Sequence, residues 1–408
     1  MSRILVRLCS VLVVVGLSQL SLAQNASYAL TDVNLFNGVD NRIQEGATVF
    51  VKEGRIERIV GSNASIPPGY ETIDGEDNFL LPGLFDAHTH IGTLDQARRA
   101  LESGVTTVRT ASVSAFQDVA MRELVRTGKL AGPDVVAAGV FVTPDLGETV
   151  LADPRLGALY GGVNTDEELR LLVNINVDRG VDVIKTRGTQ RAGLPDTDPR
   201  QQVYTERQLR VVIEEATRHN VPVMVHAHGD EGARAAVLAG ARSIEHGTYL
   251  KTETLRLMKE RGTWLVPTYV TMDEMNEEQY DYVLRLRGKH MVPQLEKVIR
   301  EAHAMGLKIA TGADNYYDNQ SINRISIEVE QFVRMGMSHF EALQSATVVS
   351  AELLQLQDST GQITAGFEAD MILVPANPLE DIAALQDVLL VMSNGQLALN
   401  RIPFGRAD

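Results

Sequence analysis

Two histidines, His88 and His90, end an apolar run that starts at Leu81. In a β-strand, side chains two positions apart share one face, so both imidazoles would point the same way from the end of a buried strand. Two converging imidazoles form half of a metal site. Two exposed histidines in a turn are the alternative, but the run before His88 carries almost no polar side chain. The spacing therefore favours metal binding over a solvent-exposed turn.

Other apolar segments also end in side chains that bind metals or transfer protons. Five of the nine histidines fall at only three such ends, which argues against chance. If the segments are parallel strands of a barrel, their carboxyl ends meet on one face, where the catalytic groups of such barrels lie. Besides His88 and His90, the ends carry Lys185, His226 with His228, His246, and Asp314.

Strand and helix patterns alternate between residues 80 and 357. Amphipathic segments, such as 166–177, 206–219 and 294–305, separate the strand candidates. The candidates end near His90, Thr110, Thr143, Lys185, His228, His246, Tyr269 and Asp314. Eight strands alternating with helices predict an α/β fold of the (β/α)8, or TIM, barrel type. An open doubly wound sheet is the competing architecture, but no Gly-x-Gly-x-x-Gly follows the first strand, so a dinucleotide site lacks its phosphate cradle.

Short strand patterns bounded by Gly, Asn or Pro return at both ends of the chain. They occupy residues 24–79 and 358–408 and include the runs 47–51 and 388–392. Such runs are typical of a small antiparallel sheet. We expect both ends to combine into one β-sandwich domain beside the barrel domain of residues 80–357.

Residues 1–23 have the pattern of a secretory signal peptide. Arg3 and Arg7 precede the apolar stretch 8–17, and residues 21–23 form a small-x-small cleavage site. A membrane anchor is the alternative, but the apolar stretch is shorter than the ~20 residues that a spanning helix needs. Cleavage would remove Cys9, the only cysteine, and with it any disulfide or thiol chemistry. We expect a periplasmic or secreted protein with no membrane span after cleavage.

The composition is that of a globular protein with an excess of acidic side chains. The chain has 408 residues, of which 44% are hydrophobic and 22% charged, as is typical of globular proteins. The formal net charge of -15 argues against nucleic acid or an anionic membrane as a partner. We expect a small-molecule substrate, which could be anionic if local arginines receive it.

The order of these motifs resembles the amidohydrolase superfamily, and within it the imidazolonepropionase-like and Xaa-Pro dipeptidase (prolidase-like) branch. The resemblance extends from about residue 28 to the end of the chain, and the order is more specific than any single motif. Related enzymes usually carry Arg-Asp after the second strand, whereas here Arg109 is followed by Thr110. The motifs that carry the resemblance are residues 82–90, 104–109, 183–185, 226–229, 243–247 and 366–371.

The resemblance implies two zinc ions held by six side chains. The implied set is His88, His90 and Asp314 on one zinc, His226 and His246 on the second, and a carboxylated Lys185 as the bridge. Two cations about 3.5–4 Å apart need a bridging anion. Burial at an apolar strand end favours the unprotonated amine from which a carbamate forms. The alternatives are a surface lysine reaching past the barrel rim for Lys185 and a helix N-cap for Asp314.

The resemblance also implies roles in catalysis, and the loop after Lys185 offers candidates for substrate binding. Asp314 would act as a ligand and as the base that passes a proton to the leaving amine. His228 shares a face with His226 and could be a ligand, but the resemblance implies that it polarises the substrate carbonyl or stabilises the oxyanion. Arg187 and Arg191, just after Lys185, are candidates to receive a substrate carboxylate through paired N–H donors, and a solvated loop is an equal alternative for them.

The predicted function is binuclear zinc hydrolysis of an amide bond in a dipeptide or an N-acyl amino acid. A one-metal, imidazolonepropionase-like hydrolase of a cyclic amide is the first alternative, although Lys185 favours two metals. A lactone or carbamate hydrolase is another, since a fold defines the reaction class better than the substrate. A periplasmic binding module on an inactive barrel would lack at least one ligand, whereas all six positions are occupied. A homo-oligomer stays open.

Overall fold

The computed structural model describes residues 26–318, 321 and 323–402. The predicted signal peptide, residues 1–23, lies outside these ranges. Within them, no helix combines the length and the apolar character that crossing a bilayer requires.

The described chain begins with strands, continues with alternating strands and helices, and ends with strands. The strands are β1 (Ser27–Leu35), β2 (Gln44–Lys52), β3 (Arg55–Gly61), β4 (Tyr70–Asp74), β5 (Phe79–Pro82), β6 (Leu84–Thr89), β7 (Val105–Thr110), β8 (Asp134–Val136), β9 (Ile184–Arg187), β10 (Val223–Gly229), β11 (Ser243–Tyr249), β12 (Trp264–Val266), β13 (Met371–Val374), β14 (Leu390–Ser393) and β15 (Gln396–Asn400). The helices are α1 (Leu94–Glu102), α2 (Gln117–Arg126), α3 (Asp166–Asp178), α4 (Glu206–Arg218), α5 (Asp230–Ala239), α6 (Thr252–Arg261), α7 (Tyr269–Glu274), α8 (Tyr282–Ala304), α9 (Ile325–Arg334), α10 (His339–Ser345) and α11 (Val348–Leu353).

One mixed sheet of eight strands combines both ends of the described chain. Its order is β15-β14-β13-β5-β1-β2-β3, with β4 paired to β1. The central strand β5 joins the two halves, because it pairs in parallel with β1 and antiparallel with β13. Leu80 of β5 and Leu373 of β13 face each other in this register and lie in one buried apolar cluster. The predicted domain boundaries and the two-layer sandwich stay predictions.

Two parallel sheets occupy the middle of the chain. One has the order β6-β7-β8 and the other β12-β11-β10-β9. All residues of β6, β7 and β10 are buried, as expected of parallel strands covered by helices on the outside. The strands β6 and β10, which carry the first and the second His-x-His pair at their ends, therefore both lie in the interior.

Backbone hydrogen bonds of the segments 137–142 and 308–315 connect the two parallel sheets at both of their edges. Beside β9, the N–H of Val142 donates to the carbonyl of Lys185 at 2.9 Å. On the other side, the segment 308–315 accepts hydrogen bonds from Leu265 of β12 and from Ala87 of β6, each at 3.0 Å. The architecture is thus a TIM-barrel-like α/β fold, and the predicted α/β class is confirmed. The closed eight-stranded barrel stays a prediction.

Three of the predicted strands are shorter than expected or absent. β8 and β12 stop before the predicted ends near Thr143 and Tyr269, and the segment 308–314 makes only isolated bridges. The backbone is left-handed at Thr268 (φ 50°), two residues after β12 ends, and at Asp314 (φ 45°), which departs from the extended geometry of a strand.

Local sequence explains where the helices begin. α3 and α4 start at capping boxes, with Thr165 and Thr205 as the N-caps, and both match the predicted helices to within a residue at each end. α8 is much longer than the predicted segment 294–305, because the helix continues through Pro293. Buried side chains on both sides of this proline hold α8 against the core, so tertiary packing outweighs the lost hydrogen bond.

Candidate active site

The predicted site residues from distant parts of the chain lie around one cavity. The cavity has a volume of about 1240 Å³ and opens at the carboxyl ends of the parallel strands. Its lining includes all six predicted metal ligands and the predicted oxyanion partner: His88, His90, Lys185, His226, His246, Asp314 and His228. The structure therefore brings the predicted set together.

Asp314 contacts histidines from two different strands. Its Oδ1 lies 3.1 Å from Nε2 of His90 and 3.4 Å from Nε2 of His88. Its Oδ2 lies 3.9 Å from Nδ1 of His246. The amine Nζ of Lys185 lies 3.4 Å from the same Nε2 of His88. The lysine, the aspartate and the first histidine pair thus form one continuous group.

Two overlapping groups of side chains have the donors and the spacing to hold a metal ion. In each group the ligand atoms lie within 4.8 Å of one another. His88, His246 and Asp314 form the first group, and His226, His228 and His246 form the second. His246 belongs to both, so the two candidate ion positions are adjacent.

The rings of the first histidine pair are oriented by oxygen atoms behind them. Nδ1 of His88 lies 2.7 Å from Oε2 of Glu245, and Nδ1 of His90 lies 2.9 Å from the carbonyl oxygen of Ser112. In both rings Nε2 faces Asp314. Such an outer oxygen fixes the tautomer and directs the other nitrogen to a metal.

The other two ligand candidates are fixed through different ring nitrogens. Nε2 of His226 donates to the carbonyl of Gln190 at 3.1 Å, which leaves Nδ1 for a ligand role. Nδ1 of His246 lies 2.7 Å from the hydroxyl of Thr268, which leaves Nε2. Each imidazole thus has one nitrogen held by a protein oxygen and one directed elsewhere, so the donor set fits a metal centre.

Two of the ligand candidates occupy strained backbone conformations. His246 has a φ of 74° and Asp314 a φ of 45°, and neither has the freedom of glycine. Two positions before Asp314, a Cβ on Gly312 would lie only 2.8 Å from the Cβ of His88, so a glycine is required for this close approach. Strain of this kind is common at functional sites, where the surrounding structure maintains it.

Burial keeps four histidines of the site, His88, His226, His228 and His246, in the neutral form. Burial, with the charge of Lys185 nearby, lowers the pKa of His88 to about 4. Burial likewise lowers the pKa of His228 to about 3 and the pKa values of His226 and His246 well below their ordinary value. The neutral imidazole is the form that binds metal ions.

Lys185 is buried, with 2% of its surface exposed. Burial lowers the pKa of its amine to about 8, although the carboxylates of Glu245 and Asp314 pull in the opposite direction. A fraction of the amine is therefore unprotonated near neutral pH. This is the form that reacts to give a carbamate, as the predicted bridging role requires.

Glu245 is a buried carboxylate beneath the cavity, and no role was predicted for it from the sequence. Glu245 accepts hydrogen bonds from the guanidinium of Arg109 at 3.0 and 3.1 Å and lies against His88. Burial alone would raise the pKa of Glu245, but Arg109 and His88 lower it to about 2. Arg109 also donates to the carbonyl of Ala87 on β6 at 2.7 Å. The pair connects β7, β11 and β6 directly beneath the cavity.

The two arginines predicted to receive a substrate carboxylate occupy different positions. Arg191 lines the cavity, whereas Arg187 is not among the lining residues. The guanidinium of Arg187 lies 4.5 Å from the ring centroid of Phe141, and that of Arg191 lies 5.7 Å from it. Burial and the nearby Arg191 lower the pKa of Arg187 to about 10, so Arg187 is a partly buried cation behind the cavity wall.

Apolar side chains form much of the remaining wall. Phe141, Leu146, Met272 and Met275 line the cavity. Tyr316 stacks on His90 with ring centroids 5.3 Å apart. The cavity therefore offers an apolar surface next to a cationic one.

This fold and site define a class of protein, the TIM-barrel-like α/β proteins with a histidine- and carboxylate-lined centre able to hold metal ions. Comparisons with known proteins agree. The sequence model of the Amidohydrolase family matches residues 79–398. The chain therefore belongs to the amidohydrolase family, and it is a hydrolase that acts on carbon–nitrogen bonds.

Particular relatives support the predicted branch of the family. The chain is 29% identical to ochratoxinase from Aspergillus niger over 383 residues, which cover 82% of this chain and 78% of that protein. It is 25% identical to imidazolonepropionase from Kosmotoga olearia over 396 residues, covering 86% and 89%. A solved Xaa-Pro dipeptidase with methionine bound in its active site has a TM-score of 0.82 and 29% identity, covering 91% of this chain and 99% of that chain. The predicted resemblance is confirmed.

Proposed function

We propose that this chain is a binuclear zinc hydrolase that cleaves an amide bond in a dipeptide or an N-acyl amino acid. The proposal includes a closed (β/α)8 barrel and an adjoining β-sandwich as its framework. The observation that carries it is the convergence on Nε2 of His88, where Nζ of Lys185 and Oδ1 of Asp314 each lie 3.4 Å away. We also propose action in the periplasm or outside the cell, because residues 1–23 have the pattern of a signal peptide.

The donor set suits two zinc ions with a carbamate between them. The ligands would be His88, His90 and Asp314 for one ion, His226 and His246 for the other, and carboxylated Lys185 for both. The lysine is the residue that distinguishes this arrangement from a one-metal centre, since its amine lies within the histidine cluster. When bound, zinc would polarise the substrate carbonyl and allow water to act as a nucleophile near neutral pH.

Asp314 is well placed to move the proton. Burial alone would raise the pKa of its carboxyl group, but His88, His90 and Lys185 lower it to about 2. The carboxylate is therefore ionised at neutral pH and accepts a proton from the attacking water. The protonated Asp314 then donates to the nitrogen of the leaving amine, and the carboxylate is regenerated.

His228 is the donor for the developing oxyanion. Its Nδ1 lies 2.9 Å from the hydroxyl of Thr248. A neutral ring that accepts this hydroxyl proton at Nδ1 carries its own hydrogen at Nε2. That N–H stabilises the negative charge that develops on the carbonyl oxygen.

The walls of the cavity suit a substrate with one apolar part and one anionic part. Phe141 and the methionines Met272 and Met275 supply the apolar surface, and Arg191 supplies a cation. Amino acid products carry a free carboxylate, and the dipeptidase relative was solved with the amino acid methionine in its active site. An amide with a free carboxylate on its leaving amino acid meets both requirements.

The test is a screen of the zinc-loaded full chain against dipeptides and N-acyl amino acids, each paired with its carboxamide. We expect amine release from the acids, with about two equivalents of zinc per chain by elemental analysis. Asp314→Asn serves as the matched variant and should lose turnover. One equivalent of zinc with turnover of cyclic amides alone would favour the one-metal alternative, and zinc binding without any turnover in the library would reject the proposed activity.

A further inference from the structure

Arg287 of α8 holds the loop that follows β9 through that loop's backbone. Its guanidinium donates to the carbonyl of Leu194 at 2.6 Å, of Pro195 at 3.3 Å and of Thr197 at 2.6 Å, and it also donates to the carbonyl of Ala192. Four carbonyls from six consecutive residues thus converge on one side chain. A guanidinium carries five donors in a rigid fork, so no other side chain can satisfy as many acceptors at once.

The loop that Arg287 holds is closed by its own contacts. The hydroxyl of Thr197 lies 2.6 Å from the carbonyl oxygen of Arg191 and 2.7 Å from that of Leu194. The side-chain oxygen of Gln190 accepts from the N–H of Asp198 at 2.9 Å. The segment 190–198 therefore behaves as one compact unit.

This unit contacts the candidate active site at two points. Arg191, Ala192, Gly193 and Leu194 line the cavity. At the start of the unit, the carbonyl of Gln190 accepts the Nε2 hydrogen of His226 at 3.1 Å. Movement of the unit would therefore displace a wall of the cavity and release the ring of a ligand candidate.

A second part of the cavity wall contacts the same helix. Met275 lines the cavity, and α8 packs closely against it at Gly288, where a Cβ would lie 3.1 Å from the Cβ of Met275 and 2.9 Å from Oδ1 of Asn276. Arg287 and Gly288 are adjacent, so one turn of α8 contacts both walls. The start of the helix is fixed by the N-cap Asp281, which accepts from the N–H of Leu284 at 2.9 Å.

We propose that Arg287 is a positioning residue that sets the distance between these two walls, and thereby holds Arg191 in the cavity and the ring of His226 in its ligand orientation. Its effect on substrate affinity rests on the proposed function, whereas its effect on the loop does not. Arg287 itself touches neither the substrate nor the reacting atoms.

Limited digestion of the zinc-loaded full chain with trypsin tests the contact directly. Arg287→Ala should increase the rate of cleavage after Arg191 on the order of tenfold, because the segment opens more often. Arg287→Lys should give an intermediate rate, since an ammonium reaches only some of the carbonyls. Arg300→Ala is the matched control, because Arg300 lies on the same helix and donates to a single carbonyl, that of Arg334, at 3.2 Å. Its rate should equal that of the unmodified chain.

Two further measurements separate positioning from a general loss of structure. In the presence of a chelator, the rate of zinc release should be several-fold higher for the Arg287→Ala variant than for the unmodified chain. In the same variant, the KM for the best substrate of the screen should rise on the order of tenfold with little change in kcat. An unchanged cleavage rate, or equal effects of Arg287→Ala and Arg300→Ala, would overturn the proposal. A lowered melting temperature with no rescue by lysine would assign Arg287 a merely structural role. Absence of turnover in the unmodified chain would reject the proposed function alone, because digestion and zinc release do not depend on activity.

Discussion

Nδ1 of His88 and Oε2 of Glu245 lie 2.7 Å apart, fully buried beneath the cavity. The carboxylate accepts the Nδ1 hydrogen, so Nε2 carries no hydrogen and faces the site as a potential ligand. We expect Glu245→Gln to weaken zinc binding about 10- to 100-fold, because the amide orients the ring less well. Competition of the variant and the unmodified chain for zinc against a chromophoric chelator measures this effect.

The same substitution also removes the carboxylate that is ion-paired with the buried guanidinium of Arg109, which costs stability. Asp118→Asn is a useful control, because Asp118 is an equally buried carboxylate that accepts from Thr110 at 2.6 Å and makes no contact with the histidines. It should lower the melting temperature while leaving zinc affinity unchanged. Equal losses of zinc affinity in both variants would contradict a specific role for Glu245.

Replacement of Lys185 tests the proposed bridge. Lys185→Ala should retain about one zinc equivalent in place of two and lose activity by more than about a hundredfold. Isotopically labelled bicarbonate should give a carbamate carbon resonance in the unmodified chain and none in the variant. Lys308→Ala, which removes a surface lysine paired with Glu352, is the control. Full activity in Lys185→Ala would refute the bridging role.

Arg191 tests the anionic end of the substrate. Arg191→Ala should raise the KM for carboxylate-bearing substrates about 10- to 100-fold, since a hydrogen bond to a charged group is lost. The kcat should change little, and the KM for the matching carboxamides should be the same in the variant and in the unmodified chain. Arg200→Ala, in the same loop but paired with Asp198 at 3.0 Å, provides the comparison. A parallel loss with acids and carboxamides would instead indicate a general effect on the loop.

The buried carboxyl group of Glu328 should make the stability of the fold depend on pH, independently of the metal site. It is fully buried and accepts from the N–H groups of Tyr269 at 3.1 Å and Val270 at 2.9 Å. Burial raises its pKa from the ordinary 4.5 to about 8, so the folded protein holds this proton more tightly than the unfolded chain does. The resulting stabilisation is complete below pH 4.5 and is lost as the pH rises through about 8.

Glu328→Gln removes this titration and keeps an acceptor oxygen. Between pH 4.5 and pH 9, titration of Glu328 should lower the free energy of unfolding of the unmodified chain by on the order of a few kcal/mol. The variant should not show this loss, and urea unfolding at both pH values measures the difference. Glu206→Gln, at an exposed position on α4, should shift the free energy of unfolding by the same small amount at both pH values. If the free energy of unfolding changed equally with pH in Glu328→Gln and in the unmodified chain, the folded protein would not hold this proton on Glu328.

The order of the strand ends was the most informative property of the sequence. The two His-x-His pairs, Lys185 and Asp314 follow apolar runs that must be buried, and such runs are local patterns that a single sequence shows. In the structure these side chains line one cavity, and their roles as metal ligands stay predictions. The assignment of each residue to a particular metal ion stays a prediction.

Glu245 was missed for a physical reason. In a regular strand, adjacent residues point to opposite faces, so a sequence reader who places His246 in the site places Glu245 outside it. The left-handed backbone of His246, with a φ of 74°, breaks that alternation. The same limit applies to Arg287, because its contacts with the loop after β9 join residues more than ninety positions apart, and no local pattern indicates them.

The position of β5 at the centre of the mixed sheet has a consequence for biosynthesis. One edge of β5 finds its partner only in β13, close to the end of the chain, and β6 with its histidines follows β5 directly. During translation, therefore, one edge of β5 stays unpaired until synthesis has passed β13. Chains that terminate before Met371 would keep an open, aggregation-prone strand edge. We expect such chains to be insoluble or to be degraded in the cell.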